Sequence, residues 1–222
     1  MRPAFYALRP GGWRDYVTLL HFPYTLWNAS YVALGAALAP HFRADRMLIT
    51  MAAFVLALGI AAHALDELNG RPLRTRIPSR TLVALAVLSL GGACAIGVWA
   101  AFAWDFGLLG FVAFGAVAVP AYNLEWFGGV LHNEWGLALS WAAFAVLTAY
   151  YAEAQTIRLD AVLAAAYAAA LIVVQRTLST PVRRARRDLG TTAGVEPLER
   201  ALRILPWASV LLAAALVSFR LT

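Results

Sequence analysis

Seven long apolar stretches, near residues 16–39, 46–65, 81–103, 105–122, 135–152, 158–175 and 203–220, leave this chain few ways to fold. Each approaches the ~20 apolar residues that a helix needs to cross ~30 Å of hydrocarbon. The chain is 62% hydrophobic and only 14% charged, with a mean hydropathy of +0.68, more apolar surface than one water-soluble core absorbs. The stretches are continuous and rich in Ala and Leu, not alternating as the strands of a membrane barrel would be. The expectation is an all-α integral membrane protein: a bundle of about seven transmembrane helices forming one domain over residues 1–222. Pro120 and Pro206 are expected near helix ends.

The opening MRPAFYALRPGGWRD carries three arginines, and no small-residue cleavage site follows a short apolar core. No cleavable signal peptide is expected. Cys94, the single cysteine, excludes an intrachain disulfide and reads as a packing residue.

All eighteen basic residues are arginines. With a cytoplasmic N-terminus, fourteen of them fall on the cytoplasmic side, in the N-terminal segment and the second and sixth connections, and only Arg43, Arg46, Arg158 and Arg220 fall outside. That asymmetry follows the positive-inside rule and puts the second, fourth and sixth connections (66–80, 123–134 and 176–202) on one face. Trp13, Tyr16, Trp104, Trp126, Trp135, Tyr150, Tyr151 and Trp207 lie near expected helix ends, as interfacial belts do. The net charge of +6 also fits attraction to anionic headgroups, and no nucleic-acid module accompanies it. Neither a glycine-rich phosphate loop nor a nucleophile and base motif supports a kinase or a soluble hydrolase.

The segment HALDELNGRPLRTRIPSR, His63 to Arg80, places charge at the end of an apolar run, where it is costly. His63, Asp66 and Glu67 have i, i+3, i+4 spacing and share a helix face, with Asn69, Arg71, Arg74 and Arg76 following. They read as candidate catalytic groups; the plainer alternative is a helix-end ion-pair network. The sixth connection offers Arg176, Ser179, Thr180, Arg183, Arg184, Arg186 and Arg187, forks and hydroxyls suited to phosphate oxygens. The fourth holds Tyr122, Asn123, Glu125, His132 and Glu134, with a turn at Gly128 and Gly129. With His63, Asp66 and Glu67 these supply enough ligands for a metal, at no standard spacing.

Charged connections after the second and sixth helices, TRIPSR from Thr75 to Arg80, and the first-helix sequence HFPYTLWNASYVALGAAL resemble the UbiA superfamily of intramembrane prenyltransferases. The resemblance implies a UbiA-like helical bundle in which aspartate motifs after helices two and six hold magnesium and the diphosphate of a prenyl donor. Asp66 aligns with the central aspartate of the first motif, while Ala62, His63 and Gly70 replace its other polar positions. In the second, Gln175, Ser179 and Arg183 stand where acids are expected. The implied activity is a transferase acting on an isoprenoid or related lipid (di)phosphate inside the membrane. Arg71, Arg74, Arg76, Arg176, Ser179, Arg183 and Arg184 would bind phosphate, and Tyr122, Asn123 and Glu125 would line the acceptor cavity. Asp66 and Glu67, with His63, would retain one magnesium ion or transfer a proton. The alternative is a non-catalytic lipid- or anion-binding or transport protein of the same fold.

Overall fold

The computed structural model describes residues 2–222, which are all-helical and contain no strand. Five helices are long and apolar enough to cross a membrane: α3 (Ala44–Leu68), α4 (Ser79–Ala103), α6 (Glu134–Ala154), α7 (Leu159–Leu189) and α8 (Glu196–Leu221). Two apolar helices are shorter, α2 (Phe22–Leu38) and α5 (Leu108–Asn123). A short α1 (Trp13–Leu19) precedes them. The chain is thus an all-α, multi-pass type of membrane protein.

Polar contacts sort the connections into two ends. At one end the Arg43 amide donates to Glu153 Oε2, Gln155 Nε2 to the Trp104 carbonyl and the Arg220 guanidinium to the Ala39 carbonyl. At the other, Asn69 Nδ2 donates to the Asn123 carbonyl, the Arg76 amide to Asp15 Oδ2 and Arg186 Nη1 to the Arg2 carbonyl. Consecutive helices from α2 to α8 therefore run alternately between the same two ends.

Helix α2 is the central strut, with residues 29–37 all buried. Hydrocarbon is as apolar as leucine, so close van der Waals fit rather than water exclusion draws helices together in a membrane. The sequence provides that fit with Ala29, Ser30, Ala33, Gly35, Ala36 and Ala37 along α2. A Cβ on Gly35 would collide with the Val146 carbonyl of α6, so only glycine permits this approach.

The observed elements depart from the sequence expectation in four places, one of them Pro206, which is expected near a helix end but lies well inside α8. The first apolar stretch is not one helix: His21, with φ 45° and ψ 45° in the left-handed region, breaks it between α1 and α2. The sixth does not end near residue 175, because α7 continues through Pro181 and a π-helical turn at Ala185–Leu189, so residues 176–189 are helix rather than connection. The carbonyl of Arg176 one turn before the proline receives the Thr180 hydroxyl at 2.8 Å and the Ser179 hydroxyl at 3.4 Å. Tyr150, expected in an interfacial belt, is fully buried, its hydroxyl donating to Asp160. Cys94 sits partly buried in the lining of a small apolar cavity of about 90 Å³ among α3, α4, α5 and α6.

Candidate functional site

A cavity of about 310 Å³ opens at the arginine-rich end of the bundle, between the N-terminal segment, α2, the end of α3, the end of α5 and α7. Its polar lining is built by four separate stretches of sequence.

Helix α3 contributes His63 and Asp66. A π-helical turn at Val55–Ala62 precedes them, and His63 Nδ1 pairs with the Gly59 carbonyl at 3.0 Å, which leaves Nε2 as the ring's free nitrogen. The His63 ring stacks on His21, with centroids 3.9 Å apart. The Asp66 carboxylate takes no side-chain hydrogen bond among the described residues, and the ionisable side chains around it are His132, Glu67, Arg183 and Arg176.

Glu67 has the opposite fate. It is fully buried and does not line the cavity. Its Oε2 accepts from the Leu73 amide at 2.9 Å, and its Oε1 accepts from the Thr75 amide at 2.8 Å and the Thr75 hydroxyl at 2.9 Å. Asp15 holds the same loop from the other side, accepting from the amides of Gly11 and Arg76. Arg71, at φ 55°, closes the loop through the Ile77 carbonyl at 2.6 Å and the Ser79 hydroxyl at 2.8 Å. Arg74 and Arg76 are exposed and lie outside the cavity lining. The charged segment that stands out in the sequence is thus largely a self-bonded loop, and only His63, Asp66, Pro72 and Leu73 of it face the cavity.

Helix α7 supplies the facing wall. Because it stays helical past Pro181, Gln175, Ser179, Val182, Arg183 and Arg186 fall on one face and all line the cavity together with Arg176. Arg184 points elsewhere and is exposed. Arg186 is engaged, gripping both carboxylate oxygens of Glu199 at 2.8 Å, and Glu199 also pairs with Arg203 at 2.7 Å. Arg176 and Arg183 enter no ion pair among the described residues.

Helix α5 ends in Tyr122 and Asn123, both buried and both in the lining. Tyr122 packs on Trp141 and on His132, whose Nδ1 pairs with the Tyr122 carbonyl at 3.0 Å. Glu125 is exposed, at φ 54°, and meets Asn69 instead of the cavity.

The N-terminal segment and α2 complete the enclosure with residues the sequence reading did not select: Pro3 to Tyr6, His21, Tyr24, Trp27 and Asn28. Burial, reinforced by Tyr24 and Asp66, raises the Tyr6 phenol well above its usual range, with Arg183 opposing. His21, Tyr24 and Asn28 stand at helical spacing in an otherwise apolar run, a signal of a polar stripe that was open to inspection.

Magnesium prefers about six oxygen ligands in near-octahedral order. The cavity offers one carboxylate, Asp66, beside imidazoles, and no group of three or more His, Cys, Asp or Glu side chains placed to hold a metal occurs among the described residues. The side chains present do not fit the magnesium centre that the aspartate motifs would imply. Compared with known protein families, curated proteins and solved structures, the chain matches none.

Proposed function

We propose that this chain is a UbiA-like intramembrane transferase acting on an isoprenoid or related lipid (di)phosphate, with helices α2 to α8 crossing the bilayer and the arginine-rich end cytoplasmic. The observation that carries the reading is the pair Arg176 and Arg183, two guanidiniums without a carboxylate partner at a cavity faced by a single acid. Arg176 is half-buried and Arg183 exposed at the cavity mouth, where a guanidinium fork stays free to match phosphate oxygens. Gln175 and Ser179, one turn apart on the same wall, add neutral hydrogen-bonding groups.

Opposite charge at the arginine wall stabilises a departing phosphate as its negative charge grows. Asp66, on the other wall and without a hydrogen-bonded partner, is the group placed to take a proton from an attacking molecule, with His63 beside it. The apolar cavity lies about one turn deeper on the same helices: Leu58 against His63 on α3, Val119 against Tyr122 on α5. It offers a hydrocarbon tail a surface of its own chemistry.

The single carboxylate equally favours a second reading, an anion-holding lipid carrier that performs no transfer. One experiment separates them. A prenyl diphosphate added to the purified protein in detergent is expected to raise the thermal midpoint in metal-free buffer, and Arg176→Gln with Arg183→Gln to remove that rise. If the prenyl diphosphate leaves the midpoint unchanged while other phospholipids raise it, the donor assignment fails. Turnover in the wild type that Asp66→Asn abolishes supports transfer; binding without turnover leaves the carrier.

A further inference from the structure

Three polar atoms on the α2 side of the cavity are buried without a hydrogen-bond partner: His21 Nε2, Trp27 Nε1 and Asn28 Oδ1. All three residues line the cavity, and Trp27 is only 1% exposed. Buried polar atoms are nearly always paired, so three orphans within one stretch of eight residues mark a place that something else satisfies. Simple rearrangement has little room. Asn28 Nδ2 is committed to the Tyr24 carbonyl at 3.0 Å, which leaves Oδ1 as the free end, and the His21 ring is clamped between His63, at 3.9 Å, and Tyr6, at 5.2 Å.

The chemistry of the orphans specifies a ligand. An indole N–H only donates, an amide oxygen only accepts, and a neutral imidazole nitrogen does either. A hydroxyl meets each of these demands, its oxygen accepting from an indole N–H and its proton going to an amide oxygen or an imidazole nitrogen. None of the three carries a full carboxylate or guanidinium charge, in contrast to the α7 wall with Arg176 and Arg183. We propose that the His21, Trp27 and Asn28 wall is a second subsite that binds the hydroxyl of an uncharged ligand, separate from the anion wall of α7. This rests on the proposed transferase reading, in which it would hold the molecule that receives the transferred group.

The test titrates phenol, and toluene as a control without the hydroxyl, into the purified protein in detergent. It follows the indole N–H resonance that Trp27→Phe deletes, while inorganic pyrophosphate binding is measured in parallel. Phenol is expected to shift that resonance saturably and toluene not to. Asn28→Leu, which roughly keeps the volume, is expected to weaken phenol about three- to tenfold, the worth of one hydrogen bond, with pyrophosphate affinity unchanged. The subsite is overturned if phenol produces no saturable shift, if toluene produces an equal one, or if Asn28→Leu leaves phenol affinity intact. Phenol binding without pyrophosphate binding would sink the transferase reading and leave the subsite standing.

Discussion

Asp66 and Glu67 are adjacent carboxylates with different employment. Glu67 is sealed under the 69–78 loop and accepts three hydrogen bonds, two of them from backbone amides. A glutamine there turns one acceptor into a donor facing the Leu73 amide. Glu67→Gln is expected to lower stability by about 1–3 kcal/mol, read as a fall in thermal midpoint. Asp66→Asn removes no protein hydrogen bond and is expected to leave the midpoint essentially in place while abolishing turnover. Equal destabilisation by both would return Asp66 to a structural role. The sequence presents the two acids alike at i+3 and i+4 from His63; what divides them is the path of a loop that turns its amides toward only one. That path depends on left-handed Arg71 and Arg74 and on Asp15, more than fifty residues earlier.

At the scale of elements, two contacts govern access to the cavity and the spacing of its walls. The N-terminal segment covers the cavity with Pro3 to Tyr6 and is tied down where Arg186 donates to the Arg2 carbonyl and Arg203 lies 5.2 Å over the Phe5 ring. Both arginines are held by Glu199, itself 5% exposed. Removing one member of a buried ion pair strands its partner, at a cost of about 3–5 kcal/mol. Glu199→Ala is expected to destabilise the fold by an amount of that order and to raise amide exchange over residues 2–8 above that of the α2 core. Unchanged exchange there would show that the segment is held by its aromatic contacts alone. The second contact is Gly35 on α2 against the Val146 backbone of α6. Gly35→Ala forces the helices apart and is expected to lower the thermal midpoint, whereas Gly91→Ala, with open space around it on α4, is not. The glycine among small residues is visible in the sequence, but its meaning is not, because the neighbour it admits lies over one hundred residues away. Pro181 is the opposite case. A proline normally ends a helix, yet α7 continues past it, and that continuation puts Gln175, Ser179 and Arg183 on a common face.

At the scale of the molecule, the alternation of helices between two ends sets the topology. The fold class is legible because continuous apolar runs are long and a bilayer admits few solutions to them. The cavity is less so, since it is assembled from four stretches whose polar residues look like loop residues one at a time. Helices α2 and α5 have 17 and 16 residues. At ~1.5 Å per residue each falls a few ångströms short of the hydrocarbon thickness. A shorter helix is accommodated by local thinning of the bilayer at modest cost. In the proposed topology both cross with the longer helices to which they are joined. In a Cys94→Ser background, Arg158→Cys is therefore expected to react with an impermeant maleimide added to intact cells. Arg74→Cys is expected to react only after permeabilisation, and so is Trp126→Cys, beyond the end of short α5. Labelling of Arg74→Cys and Trp126→Cys from opposite sides would mean that the stretch from α4 to α5 does not return to its starting face. It would remove Tyr122 and Asn123 from the cavity and dismantle the site with the topology.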